Sequence, residues 1–171
     1  MEFEKKFVRN YLSTTHFKGG KFVALLSLVL CLILSQFYWD QTSAISSLLA
    51  GNGENVFIKG EYWRLLTSLF IHGDIKHLLS NSLMLYFLMY FVASSYGKLT
   101  AMSLFAFGGS LINAVCLSLY DSTTFLVGAS GVVYLLWGFW FAVYLFVETQ
   151  RPFLHRVIRV MGIFLILLVP T

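Results

Sequence analysis

The sequence predicts an all-α membrane protein, a polytopic helix bundle with five transmembrane helices. Three observations lead there. The chain is 58% hydrophobic and only 12% charged, with a mean hydropathy of +0.76, whereas soluble domains carry roughly 25% charged residues. Apolar stretches recur at about the 20 residues needed to cross hydrocarbon. Within them lie a hydroxyl, an imidazole and a carboxamide, on Ser130, His77 and Asn81. At membrane depth an unpaired polar group is costly and marks a functional position.

The elements follow in order. Residues 1–21 form a polar tail with Lys5, Lys6, Arg9, Lys18 and Lys21, and Phe22 to Tyr38 is the first span. That span is too long for a signal-peptide core and no small-x-small cleavage site follows it, so it reads as a retained helix. The connection from Trp39 to Lys76 is too polar to span and too apolar for a free loop. Ile45, Leu48 and Leu49 recur at helical spacing, and Tyr62, Trp63, Leu65, Leu66, Leu69 and Phe70 cluster around Arg64. Such a segment suits the membrane interface; a loop merely resting on the bilayer is the alternative. His77 to Ser94, Leu99 to Leu119 and Gly128 to Val147 are the next spans, and Val157 to Thr171 begins a fifth. This last run ends on Val169-Pro170-Thr171 with no charged or aromatic flank, so the membrane domain, 22–171, is expected to be incomplete at its C-terminus. Cys31 and Cys116 fall within spans and read as small apolar packing residues.

Lysine and arginine placement predicts orientation. The tail, Lys98 and the group Arg151, Arg156 and Arg159 share one side, while Lys59, Arg64 and Lys76 lie on the other. The N-terminus is therefore expected in the cytoplasm and Thr171 outside, in a plasma (inner) membrane. This asymmetry and anionic headgroups of the lipid bilayer explain the net charge of +4, so no nucleic acid is expected as a partner.

His77 and Asn81 stand one helical turn apart, and Met84 continues their stripe. Ser130, Tyr134 and Gly138 repeat at the same interval on a later helix, which implies that the two helices face each other. Gly128 and Gly131 permit close backbone approach beside Ser130, and free N–H groups at a helix start can stabilise an oxyanion. The Gly-x-Ser-x-Gly elbow of soluble hydrolases is absent, because residue 132 is valine. Taken singly, Gly-x-Ser-Gly also serves helix packing, and His77 with Asn81 also suits an interhelical hydrogen bond. His72, Asp74 and His77 lack metal-site spacing, so neither metal nor cofactor is expected.

Glu61-Tyr62-Trp63-Arg64-Leu65-Leu66-Thr67, His72-Gly73, His77-Leu78-Leu79-Ser80-Asn81 and Gly128-Ala129-Ser130-Gly131-Val132-Val133-Tyr134 stand in an order and spacing that resembles the rhomboid intramembrane serine proteases. The resemblance runs from about Phe22 to Thr171. It implies a six-helix core, of which five helices are present, with an interfacial loop between helices 1 and 2. It further implies Ser130 as nucleophile, His77 and Asn81 as the oxyanion-stabilising pair, and Tyr134 as the ring that packs against the base histidine. Trp63 and Arg64 would anchor the interfacial loop, with Gly128 and Gly131 as structural residues around the serine.

Two departures qualify it. The family's base histidine lies on the sixth helix, which the chain lacks, and without a base a serine hydroxyl is a poor nucleophile. Ala93-Ser94-Ser95 precede Tyr96-Gly97 where many members have Glu and Arg. The expected function is an intramembrane serine endopeptidase that cleaves transmembrane protein substrates near the outer leaflet, with the histidine supplied by a companion polypeptide carrying helix six. The alternative is a non-catalytic relative that binds membrane-protein clients.

Overall fold

The computed structural model describes residues 17–40, 42, 44–147 and 151–168, without side chains for 163–168. The tail with Lys5, Lys6, Arg9 and His16, and the placement of Thr171, lie outside the described residues. Every named element among the described residues is helical. Helix α1 spans Gly20–Trp39, and a polar segment then holds α2 (Ser46–Leu49), a π-helical turn (Glu54–Ile58) and α3 (Arg64–Thr67). Helix α4 spans Ile75–Tyr96. One rod, Lys98–Leu119, joins α5 (Lys98–Ser103), a second π-helical turn (Leu104–Gly108) and α6 (Gly109–Leu119); α7 (Ser130–Phe146) and α8 (Phe153–Leu168) follow. Helices α1 and α4 and the rod are long and apolar enough to cross a membrane, and α7 is a shorter apolar helix. The molecule is a helical membrane bundle.

Helix α1 buries a stripe of mostly small residues, Gly20, Val23, Ala24, Ser27, Cys31 and Ser35, against α4. Small residues suit helices in lipid, where association rests on close packing rather than on escape from water. Leu25, Val29, Leu32 and Ile33 on the outer side are exposed, as a lipid-facing surface should be. The approach is tightest where Gly20 meets Ser94, whose hydroxyl would lie 2.0 Å from a Cβ placed on the glycine. Ala93, Ser94 and Ser95 are all buried, and the Ser94 carbonyl accepts from the Phe17 N–H at 2.9 Å. The departure at 93–95 is therefore filled by close helix packing.

Asp74 caps α4, its carboxylate accepting the His77 N–H at 2.9 Å. That bond holds the Asp74 carboxyl below its ordinary pKa. Helix α6 reaches α7 through Gly109, where a Cβ would lie 2.6 Å from Val132 Cγ2 and 2.7 Å from Leu69 Cδ1. The core gathers there, from Leu69, Leu85, Met89, Val132 and Leu136. Helix α8 begins at Phe153, four residues before the apolar run at Val157. Arg156 is accommodated because its guanidinium donates to the Leu145 carbonyl at the end of α7 and lies over the Phe153 ring.

The segment between α1 and α4 is organised around Arg64, which is 4% exposed. Its Nη1 donates to the Ser47 and Ala50 carbonyls at 2.8 and 2.7 Å, and its Nε pairs with Glu61 at 2.5 Å. Thr67 Oγ1 adds a bond to the Leu49 carbonyl at 2.8 Å. One cation thus ties α2 to α3. Trp63 is half exposed, its indole N–H donating to the Leu48 carbonyl at 3.3 Å.

Candidate active site

Ser130 is the first residue of α7, and the turn that delivers it is held from three directions. Leu126 N–H donates to the Gly51 carbonyl at 2.8 Å, and Gly128 N–H to the Ser68 carbonyl at 2.9 Å. Ser68 is buried and fixed in turn, donating to the Arg64 carbonyl at 2.6 Å and accepting from Asn113 Nδ2 at 3.0 Å. The third hold is His72. Its Nε2 accepts the Ala129 N–H at 3.4 Å, which leaves the ring proton on Nδ1, 3.4 Å from Ser35 Oγ. Ser35 also accepts the His72 backbone N–H at 3.1 Å and donates to the Phe70 carbonyl. Burial, with a smaller contribution from the charge of neighbouring His77, pushes the His72 pKa down to about 4. The ring is neutral at pH 7 and keeps its acceptor.

Gly128 has φ +112°, a conformation that L side chains rarely adopt. A Cβ there would lie 2.8 Å from His77 Cε1, 2.9 Å from His77 Nε2 and 3.6 Å from Asn81 Nδ2. The His77 and Asn81 side chains are thus packed over the turn that precedes Ser130. The His77 ring stands edge-on to His72 with centroids 5.0 Å apart. Beyond the turn, a cavity of about 180 Å³ is lined by Ser80, Asn81, Met84, Ser130, Val133, Tyr134 and Trp137. The two polar stripes meet there.

Asn81 Nδ2 is buried with no hydrogen-bond partner among the described residues. A buried amide donor without an acceptor is costly, and one beside a hydroxyl at the positive end of a helix is suited to a developing negative charge. Among the residues singled out from sequence, Ser130, Asn81 and Tyr134 line one cavity, and His77 adjoins it through Gly128. Tyr134 is 68% exposed. Gly131 instead faces Ile112 on α6, and Trp63 and Arg64 belong to the interfacial segment. His72, which the sequence offers only as a metal ligand without the spacing for one, is 1% exposed and braces the serine turn. Its pairing with glycine ahead of α4 was the available signal, but a partner 57 residues away was not legible.

A family model described as "Rhomboid domain" matches residues 59–170. The chain is also similar to RHOMBOID-like protein 1 of Arabidopsis thaliana, at 35% identity over 83 residues, covering 47% of this chain. Those residues span 20% of that relative's length.

Proposed function

Because this chain belongs to the rhomboid family, we propose that it is an intramembrane serine endopeptidase acting on transmembrane protein substrates, with Ser130 as its nucleophile. The observation that carries this reading is the unpartnered Asn81 Nδ2 beside the cavity that holds Ser130. A packing asparagine in lipid would have spent its donor on a neighbouring helix. An oxyanion-binding donor waits for its acceptor.

A substrate helix must unwind locally, since a hydrogen-bonded helix hides its carbonyls. Ser130 Oγ then attacks the exposed carbonyl carbon as a histidine takes the hydroxyl proton. The carbonyl π electrons move to oxygen, where Asn81 Nδ2, His77 and the Ser130 N–H stabilise the charge. Collapse breaks the C–N bond, the histidine returns its proton to the leaving amine, and water hydrolyses the acyl-enzyme. None of His72, His77 and His155 lines the cavity. The base belongs to a further helix, continuous with this chain or separate, seated over the groove of about 260 Å³ that extends the cavity along α4 and α7 past Leu88 and Trp140.

The test is labelling of membranes by a fluorophosphonate with and without a single-span polypeptide carrying one histidine. Labelling should need that polypeptide and vanish in Ser130→Ala. Equal labelling without it refutes the external base. No labelling in either case, from a folded protein that still retains other membrane proteins, favours client binding without catalysis.

A further inference from the structure

A groove of about 340 Å³ separates α1 from α5 and the π-helical turn after it, and runs from Lys98 to Leu66 and Phe70. Phe22, Leu26 and Leu30 line one wall, Met102 and Phe105 the other, and Phe70 lies at the end nearer the interfacial segment. From Phe22 to Leu30 the groove runs about 12 Å along α1. Its lining is apolar apart from Ser27 and Lys98.

Its other end is lined by Lys98. The Lys98 side chain lies across the start of α1, and a Cβ on Gly19 would be 2.6 Å from its Cε and 2.8 Å from its Nζ. Alongside is a more polar space of about 450 Å³ lined by Lys18, Lys21, Tyr90 and Ser94. Helix α1 has no acidic residue in its first turn and no side-chain cap, so its positive end adds to the three ammonium groups. Every described carboxylate, on Asp40, Glu54, Glu61, Asp74 and Asp121, belongs to the opposite end of the bundle. The ion pairs among the described residues are Lys59–Glu54 and Arg64–Glu61, which leave Lys18, Lys21 and Lys98 unmatched.

We propose that this is a binding site for one anionic phospholipid, with an acyl chain in the α1–α5 groove and the headgroup phosphate on Lys98, flanked by Lys18 and Lys21. A basic pocket between transmembrane helices at the positive end of a bundle is suited to an anionic headgroup. A zwitterionic headgroup would bring a second cation to a place that offers it no carboxylate among the described residues.

Native mass spectrometry of the purified chain, titrated with dioleoylphosphatidylglycerol or dioleoylphosphatidylcholine, tests the site. The anionic lipid should be retained about tenfold more tightly. Lys98→Gln should remove most of that preference, and Leu26→Trp, which fills the groove, should weaken both lipids. Met102→Trp serves as the second groove-filling variant if Leu26→Trp does not fold. Equal retention of the two lipids by the parent, or unchanged binding in the variants, overturns the proposal. Displacement of the lipid by free glycerol 3-phosphate at equal concentration overturns the acyl-chain half of it.

Discussion

Gly128 shows how much of the site rests on one missing side chain. Alanine there must adopt φ +112° and place its Cβ within 3 Å of the His77 ring. Strain of this kind costs about 1–3 kcal/mol. Gly128→Ala should therefore lower the thermal midpoint and slow fluorophosphonate labelling together, and a variant of parental stability would show that the turn is relaxed. Asn81→Ala should behave in the opposite way. Its Nδ2 has no described partner to lose, so the fold should keep its stability while turnover drops about 10²–10³-fold, or about 2.7–4 kcal/mol. Loss of stability at a parental rate would make Asn81 a packing residue. His72 carries a pH signature. Its folded pKa of about 4 lies below the ordinary 6.5, so the unfolded chain binds the proton more readily. Stability should fall as pH drops from about 6.5 to about 4, and His72→Gln should flatten that slope; a parental slope in the variant would assign the titration elsewhere. Ser130, His77 and Asn81 were legible because polar groups in apolar runs stand out. His72 was not, because its burial depends on long-range partners.

Helices were legible where period and length agreed. The expected spans Phe22 to Tyr38 and His77 to Ser94 became Gly20–Trp39 and Ile75–Tyr96, widened because helix caps and end turns are polar. Neither π-helical turn has a signature in the sequence, since a π turn adds a residue per turn without altering composition. The segment between α1 and α4 reads as interfacial from its aromatic residues, and the resemblance names Arg64 as an anchor; the carbonyls of Ser47 and Ala50 that it holds have no signature in the sequence. Replacing Arg64 by lysine loses the planar fork that reaches two carbonyls and Glu61 at once. Arg64→Lys should open residues 44–60 to limited proteolysis before the bundle unfolds. Arg64→Ala, which leaves the Ser47 and Ala50 carbonyls without their donor, should cost about 1–3 kcal/mol. Equal protease resistance in both variants would show that the backbone bonds suffice.

Across the described residues of the whole molecule, the carboxylates gather at one end. Lysines 18, 21 and 98 stand at one end and the described carboxylates at the other. We expect the lysine end to face the cytoplasm. In a background with Cys31 and Cys116 replaced, a cysteine at position 98 should react with an impermeant maleimide only from the cytoplasmic side, and one at position 121 only from outside. The reverse pattern would invert the topology and place the Ser130 mouth at the inner leaflet. The serine turn itself is stitched to residues before α4 by main-chain atoms, Leu126 to Gly51 and Gly128 to Ser68, with Glu54 bonded to the Ser122 carbonyl beside them. Every residue but proline offers the same peptide group, so these stitches place little demand on which side chains stand at 54, 122 or 126. Two relatives could share this architecture while differing at each of those positions. Substitutions at those positions can therefore proceed without disturbing the serine they support.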